Sequence, residues 1–252
     1  MKFCVFIFFF ISEVAFAQWN GDFSGGDFTN SQSWHGNTGD FIVENGWLRL
    51  SSSGASTSYL SVESDVAVNA SWEFAFKMDF TPSSSNYARV YLISDCETLN
   101  NPLLNGYYLR LGYTGRDIGL FRQTGSINER LIESRAGILN AASNHVRVLV
   151  TRDRHGNWTL ETDIGGGRDF TPEGSAQDSQ IAPSAYFGVV CTYTATRSNG
   201  FHFGDFRVEG QPYTDTRPPK ILSHSIDGKQ VHIEFSKPLA AFSQPFERFF
   251  AK

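Results

Sequence analysis

Cysteine is nearly absent from this chain. There are three in 252 residues; Cys4 lies in the N-terminal apolar segment, and only Cys96 and Cys191 lie beyond it. That excludes a small scaffold stapled by several bridges. The histidines His35, His145, His155, His202, His224 and His232 are too scattered for metal-site spacing with cysteine or with one another. No Gly-x-Ser-x-Gly sequence offers a nucleophile elbow. The net charge is -5 and no basic stripe is present, which removes nucleic acid and anionic lipid from the candidate partners. No stretch keeps a helical apolar period over three turns.

What is present begins with a targeting signal. Lys2 supplies a positive charge, Phe3 to Ile11 is a short apolar run, and Ala15-Phe16-Ala17 places small residues where a signal peptidase reads them. The run falls short of the ~20 apolar residues of a membrane span, and Ser12 and Glu13 interrupt it. Residues 1–17 are therefore expected to be a signal peptide cut before Gln18, giving a secreted or cell-surface chain with no membrane insertion after cleavage. The residue directly after the cleavage position is Gln18 rather than a cysteine, which argues against a lipid anchor. An oxidising compartment would let Cys96 and Cys191 form a disulfide; the alternative is two separately buried thiols, and sequence alone does not give the distance a bridge requires.

Period-2 alternation dominates the rest. In Trp72–Phe80 the apolar side chains Trp72, Phe74, Phe76, Met78 and Phe80 share one face, and Glu73, Lys77 and Asp79 the other. That is a half-buried strand. Comparable runs occur at Phe41–Val43, Trp47–Leu50, Ala88–Ser94, Tyr107–Leu111, Ile118–Arg122, Val146–Thr151, Trp158–Asp163, Tyr186–Tyr193 and Phe201–Val208. Polar turn sequences separate them: Glu44-Asn45-Gly46, Asn105-Gly106 and Asp153–Asn157. Many strands with 23 Phe to bury predict an all-β, two-sheet sandwich or jelly roll. After Val208, residues 209–220 hold three prolines and read as a linker; Ile221–Ile226 and Gln230–Phe235 then form two further strands joined through Asp227-Gly228. Two strands cannot make a sandwich, so 221–252 reads as a truncated unit.

Particular residues add a family resemblance. Asn86–Asp95, Leu104–Arg110, Leu120–Gly125, Val150–Asp153 with Gly156-Asn157-Trp158, Tyr186–Cys191 and Phe203–Val208 resemble the N-terminal module of large secreted surface proteins of Bacteroidetes. The resemblance spans about residues 20–208 and implies a concanavalin A-like (laminin G-like) jelly roll. Asp215–Ile221 followed by Val231–Pro238 resembles the opening of a bacterial Ig-like domain, which implies a partial Ig-like segment of a longer, adhesin-like chain.

Three chemistries are open to this frame. Glycoside hydrolysis needs a pair of carboxylates, and laminarinase-like sandwiches carry them as Glu-x-Asp-x-Glu on one strand. Here Glu161-Thr162-Asp163-Ile164-Gly165 lacks the third acid. Structural calcium, which jelly rolls often carry, would use hard oxygen ligands, with Asp22, Asp27 and Asp205 as candidates. Glycan binding would use aromatic faces with polar groups beside them. Alternation places Arg89 with Tyr91, and Tyr108 with Arg110, on matching faces of neighbouring strands. The bland counterpart is that these rings cover the core edge while the arginines form surface ion pairs. The expectation is a secreted, non-catalytic binding or adhesion module for a glycan or surface polymer. The competing readings are a glycoside hydrolase of the same fold and a structural envelope spacer.

Overall fold

The structure, a computed structural model, describes residues 17–21, 23–25, 33–180, 184–213, 220–227 and 230–235. The signal segment before Ala17 lies outside them. The chain divides into two units, Met1–Tyr213 and Thr214–Lys252.

The first unit is built from fifteen strands among its described residues: β1 (Ala17–Gly21), β2 (His35–Gly36), β3 (Phe41–Glu44), β4 (Trp47–Leu50), β5 (Ser56–Glu63), β6 (Val66–Met78), β7 (Tyr87–Ser94), β8 (Asn105–Gly112), β9 (Asp117–Thr124), β10 (Ile127–Glu133), β11 (Asn144–Arg152), β12 (Asn157–Ile164), β13 (Thr171–Gln177), β14 (Tyr186–Tyr193) and β15 (Phe201–Pro212). They form two antiparallel sheets. The first runs β13-β12-β11-β6-β15-β4-β3, with β1 also on β15; the second runs β10-β9-β8-β7-β14-β5-β2. All the strands expected from the alternation are present. The structure adds β5, which is rich in Ser and Thr, and the polar strands β10 and β13.

The alternation explains the layering. Phe74, Phe76 and Met78 of β6 are fully buried, with Val148 and Val150 of β11 beside them. From the second sheet come Val90, Leu92, Leu109, Leu111, Ile118 and Leu120. Rings lock the sheets together: Phe187 lies edge-on to Phe206 at 5.3 Å between centroids, and Tyr107 lies 4.7 Å from Trp158, which stacks on Trp72. Burying one such aromatic side chain is worth about 1.5–3 kcal/mol.

Turn chemistry holds at two of the three positions expected from sequence. Asn45 and Gly46 both have positive φ and join β3 to β4 across the Glu44↔Trp47 pair, as a two-residue hairpin requires. In the Asp153–Asn157 connection, Asp153 Oδ1 accepts the amides of His155 and Asn157 at 2.8 and 2.9 Å. The Asn157 side chain bonds the same carboxylate, and these bonds hold its pKa below the ordinary value. Asn105-Gly106 is a correction: it opens β8, with Gly106 paired to Ser94 and Gln123. Glycine is needed there for close approach, since a Cβ would sit 2.1 Å from the Ile93 carbonyl oxygen.

β15 continues to Pro212, because Glu209 and Gln211 still pair with Ser71 and Val68 of β6. The second unit contains β16 (Ile221–Asp227) paired with β17 (Gln230–Phe235), and exposes Ile221, Leu222, Ile226 and Ile233. The Gly228 half of the expected turn lies outside the described residues.

Candidate functional site on the outer face of the second sheet

The second sheet is apolar on both sides. Its outer face carries a cluster of Tyr91, Tyr108, Phe121 and Val190, covered by Leu99 and Leu104 from the β7–β8 connection. Register makes it: Tyr91 stands opposite Tyr108, and Tyr108 opposite Phe121. The Tyr108 and Phe121 rings stack at 5.2 Å and 6°, and Tyr91 lies 5.1 Å from Tyr108.

All four residues expected to bind a ligand fall on this face, with Arg89 directly opposite Arg110. Two of the four have a different part from the one alternation suggests. The Tyr91 ring is completely buried and Tyr108 is 5% exposed, so neither offers a face for stacking. The Tyr91 hydroxyl donates to Gln123 Oε1 at 2.7 Å and accepts from Arg89 at 3.1 Å; the Gln123 amide donates to the Gly125 carbonyl at 3.0 Å. The Tyr108 hydroxyl donates to Asn128 at 3.0 Å. Burial pushes both phenols up from their ordinary pKa, so they stay protonated donors. These tyrosines are a support layer beneath the arginines.

The ring surface left open belongs to Tyr87 and Tyr113, both half-buried and meeting edge-to-face at 5.2 Å. Tyr87 is two residues before Arg89 on the same strand face, so its place was readable from the period. Tyr113 was not: it follows β8 with φ of 80°, a region costly for an aromatic residue and one that collects at functional sites. That backbone puts its ring 4.7 Å from the Arg110 guanidinium, which also sits 4.5 Å from the Phe121 centroid. Arg89 lies 5.6 Å from Tyr91 and 5.8 Å from Tyr108. The surface ion pairs of the bland reading are missing. Among the described residues neither Arg89 nor Arg110 meets a carboxylate, whereas Arg122 and Arg130 on the same sheet do.

The other expected residues are not brought together. Cys96 and Cys191 are free thiols. Cys191 points into the core between the sheets, while Cys96 packs on the outer cluster, so the sheet itself stands between them; of the two readings open in the sequence, the structure has separate thiols rather than a bridge. Burial pushes the Cys191 thiol pKa up. Asp22 and Asp27 lie outside the described residues. Asp205, at a bulge of β15 with φ of 52°, receives Arg147 at 2.5 Å, and Arg147 also binds Glu73 at 3.0 Å. Its carboxylate is committed to a guanidinium, and among the described residues no group of three His, Cys, Asp or Glu is placed to hold a metal. This ion network borders an open cavity of about 660 Å³ lined by Arg147, Arg168, Asp205 and Arg207 on the first sheet.

No family model matches the chain, and no curated protein matches it. Solved structures do. The VIP36 exoplasmic/lumenal domain in its Ca2+-bound form covers 87% of this chain and 96% of its own, with 12% identity and a TM-score of 0.55. Its Ca2+/Man-bound form covers 82% and 91%, with 13% identity and a TM-score of 0.53. The Emp47p carbohydrate recognition domain covers 78% and 95%, with 11% identity and a TM-score of 0.54. At these identities the likeness is one of fold: the chain is an all-β, concanavalin A-like jelly-roll sandwich. Among the described residues no helix is long and apolar enough to cross a membrane.

Proposed function

We propose that this protein is a secreted, non-catalytic module that binds a glycan on the outer face of its second sheet. The observation that carries the reading is the pair Arg89 and Arg110, which meets no carboxylate among the described residues and is set beside the half-open rings of Tyr87 and Tyr113. Aromatic faces flanked by a few fixed polar groups are what a sugar ring requires. The solved structures of like fold include a mannose-bound domain and a carbohydrate recognition domain, which supports the same class of ligand.

The finer parts of the proposal rest on sequence. Residues 1–17 are the export signal, 18–208 the jelly roll, whose last strand runs on to Pro212 into the 209–220 linker, and 221–252 an Ig-like piece of a longer surface adhesin of Bacteroidetes type. The missing third acid at Gly165 supports a role without turnover. Any calcium ion would depend on Asp22 and Asp27, and a melting temperature lowered by chelator tests that.

The experiment is a glycan array with the purified chain, run beside a reducing-sugar assay. Retention of a polysaccharide without new reducing ends supports the proposal. Reducing ends abolished by Glu161→Gln would replace it with a hydrolase, and no retention on any array would leave a spacer.

A further inference from the structure

The arginine pair says more about the ligand than its being a glycan. Arg89 and Arg110 are direct cross-strand partners on one face. Side chains so placed have Cβ atoms about 5 Å apart, and like charges there destabilise the sheet. Proteins usually relieve this with a carboxylate, as this chain does for most of its other sheet arginines; Arg152 is instead wholly buried and donates to the Ala67 carbonyl. Arg49 has Glu44, Arg122 has Glu129 and Asp178, Arg130 has Asp117 and Glu133, and Arg147 has Glu73 and Asp205. Among the described residues the Arg89–Arg110 pair has none.

The donors are unspent as well. Arg89 gives a single hydrogen bond, to the Tyr91 hydroxyl, and Arg110 gives none to a described residue. The Nε of each is buried without a partner. The rings of Tyr91, Tyr108, Phe121 and Tyr113 lie within cation–π range, which holds the guanidinium planes by their faces and leaves N–H edges to be met. A guanidinium fork with free edges matches a planar carboxylate or a sulfate bidentately.

We infer that Arg89 and Arg110 form an anion subsite, and that the glycan bound here is acidic, carrying sulfate ester or uronate carboxylate groups. The inference rests on the glycan-binding reading above and narrows it. The net charge of -5 disfavours indiscriminate capture of polyanions, so the selectivity resides in this pair.

The test uses the full chain in affinity electrophoresis and calorimetry against two matched pairs of polymer. One is a sulfated galactan and the same polymer chemically desulfated; the other is a polyuronate and its methyl ester. The expected result is binding to at least one acidic polymer, weaker by roughly ten- to a hundredfold in its neutralised form. Which pair responds tells sulfate from carboxylate. Arg110→Gln, at a side chain with no hydrogen bond to a described residue, and Arg89→Gln each weaken binding by a similar factor with unchanged circular dichroism. Arg154→Gln, in the exposed β11–β12 turn, leaves it unchanged and controls for simple ion exchange. Equal binding of acidic and neutral forms overturns the anion subsite and leaves glycan binding intact. Retention that Arg154→Gln reduces as much as Arg110→Gln overturns it as bulk charge. No binding to any of the four polymers, together with an empty glycan array, overturns both.

Discussion

Replacing Tyr91 by Phe tests whether the outer cluster is the scaffold of the site or the site itself. The substitution removes one oxygen and keeps the ring. In the native chain that hydroxyl donates to Gln123 Oε1 at 2.7 Å, accepts from Arg89 at 3.1 Å, and is wholly buried. Its loss strands a buried amide oxygen, which costs about 1–3 kcal/mol. In a unit of this size each kcal/mol moves the melting temperature by about 2–4 °C, so Tyr91→Phe should melt roughly 2–12 °C lower. Gln123→Leu should cost a similar amount by stranding the hydroxyl. The double variant should cost less than the two combined, with a coupling of about 0.5–3 kcal/mol in urea denaturation. Polysaccharide affinity should fall by a smaller factor than in Arg89→Gln, because Tyr91 touches the ligand only through Arg89. Strict additivity of the two substitutions would refute the buried network. A loss of binding in Tyr91→Phe larger than that in Arg89→Gln, at unchanged stability, would refute its placement beneath the arginines.

In the folded, non-reduced chain, iodoacetamide should label Cys96 and spare Cys191; both should react in denaturant, with no mass change on reduction, since the two are free and Cys191 is buried with its thiolate disfavoured. Tyr113→Gly should reduce polysaccharide retention several-fold while changing stability by less than about 1 kcal/mol, because relief of the positive φ offsets the lost ring contacts; a stability loss above about 2 kcal/mol would refute the strain. Desolvation, then the charges of Lys77 and Arg147, holds His145 below its ordinary pKa, so the unfolded chain binds this proton more readily. Stability should therefore fall as pH drops from 7 towards 5, and His145→Gln should flatten that slope in thermal melts. Trp158→Ala should cost about 3–5 kcal/mol by equilibrium denaturation, since this fully buried ring stacks on Trp72 and contacts Tyr107.

The strands with strict alternation were readable because one face had to be apolar. β6 carries Trp72, Phe74, Phe76 and Met78 at every second position, and no other period fits them. β5 escaped because Ser58 and Ser61 are buried among Leu60 and Val62, so the polar pattern hid the strand. Ser58 is satisfied by Tyr193 and Asp40, partners 135 and 18 residues away in sequence. β13 escaped because Pro172 and Gly174 are tolerable only at the edge it occupies. At the site, the shared face of Arg89, Tyr91, Tyr108 and Arg110 was legible. The burial of the two rings was not, because Leu99 and Leu104 arrive from a connecting segment whose path no period encodes. The unpaired state of the arginines was hidden too, since carboxylates that neutralise others come from far away in sequence, as Asp178 does for Arg122 and Glu73 for Arg147.

The double-sided burial of the second sheet is what fits the arginine pair for binding. A sheet with one wet face leaves its outer side chains free to move, and ordering a long arginine on a ligand then costs about 0.5–1.5 kcal/mol each. Here the outer face is packed before any ligand arrives: Phe121 stacks under Tyr108, and Arg110 rests between Phe121 and Tyr113. Gln123 fixes the hydroxyl that fixes Arg89. Part of the ordering is thus completed by folding, and the repulsion between the two guanidiniums is carried by the free protein until an anion relieves it. The first sheet does the opposite, since its outer Arg147 is already matched to Glu73 and Asp205 and has nothing left to gain from an acidic group. Of the two outer faces, the one where Arg89 and Arg110 meet no carboxylate among the described residues is the one where an acidic polymer would gain most.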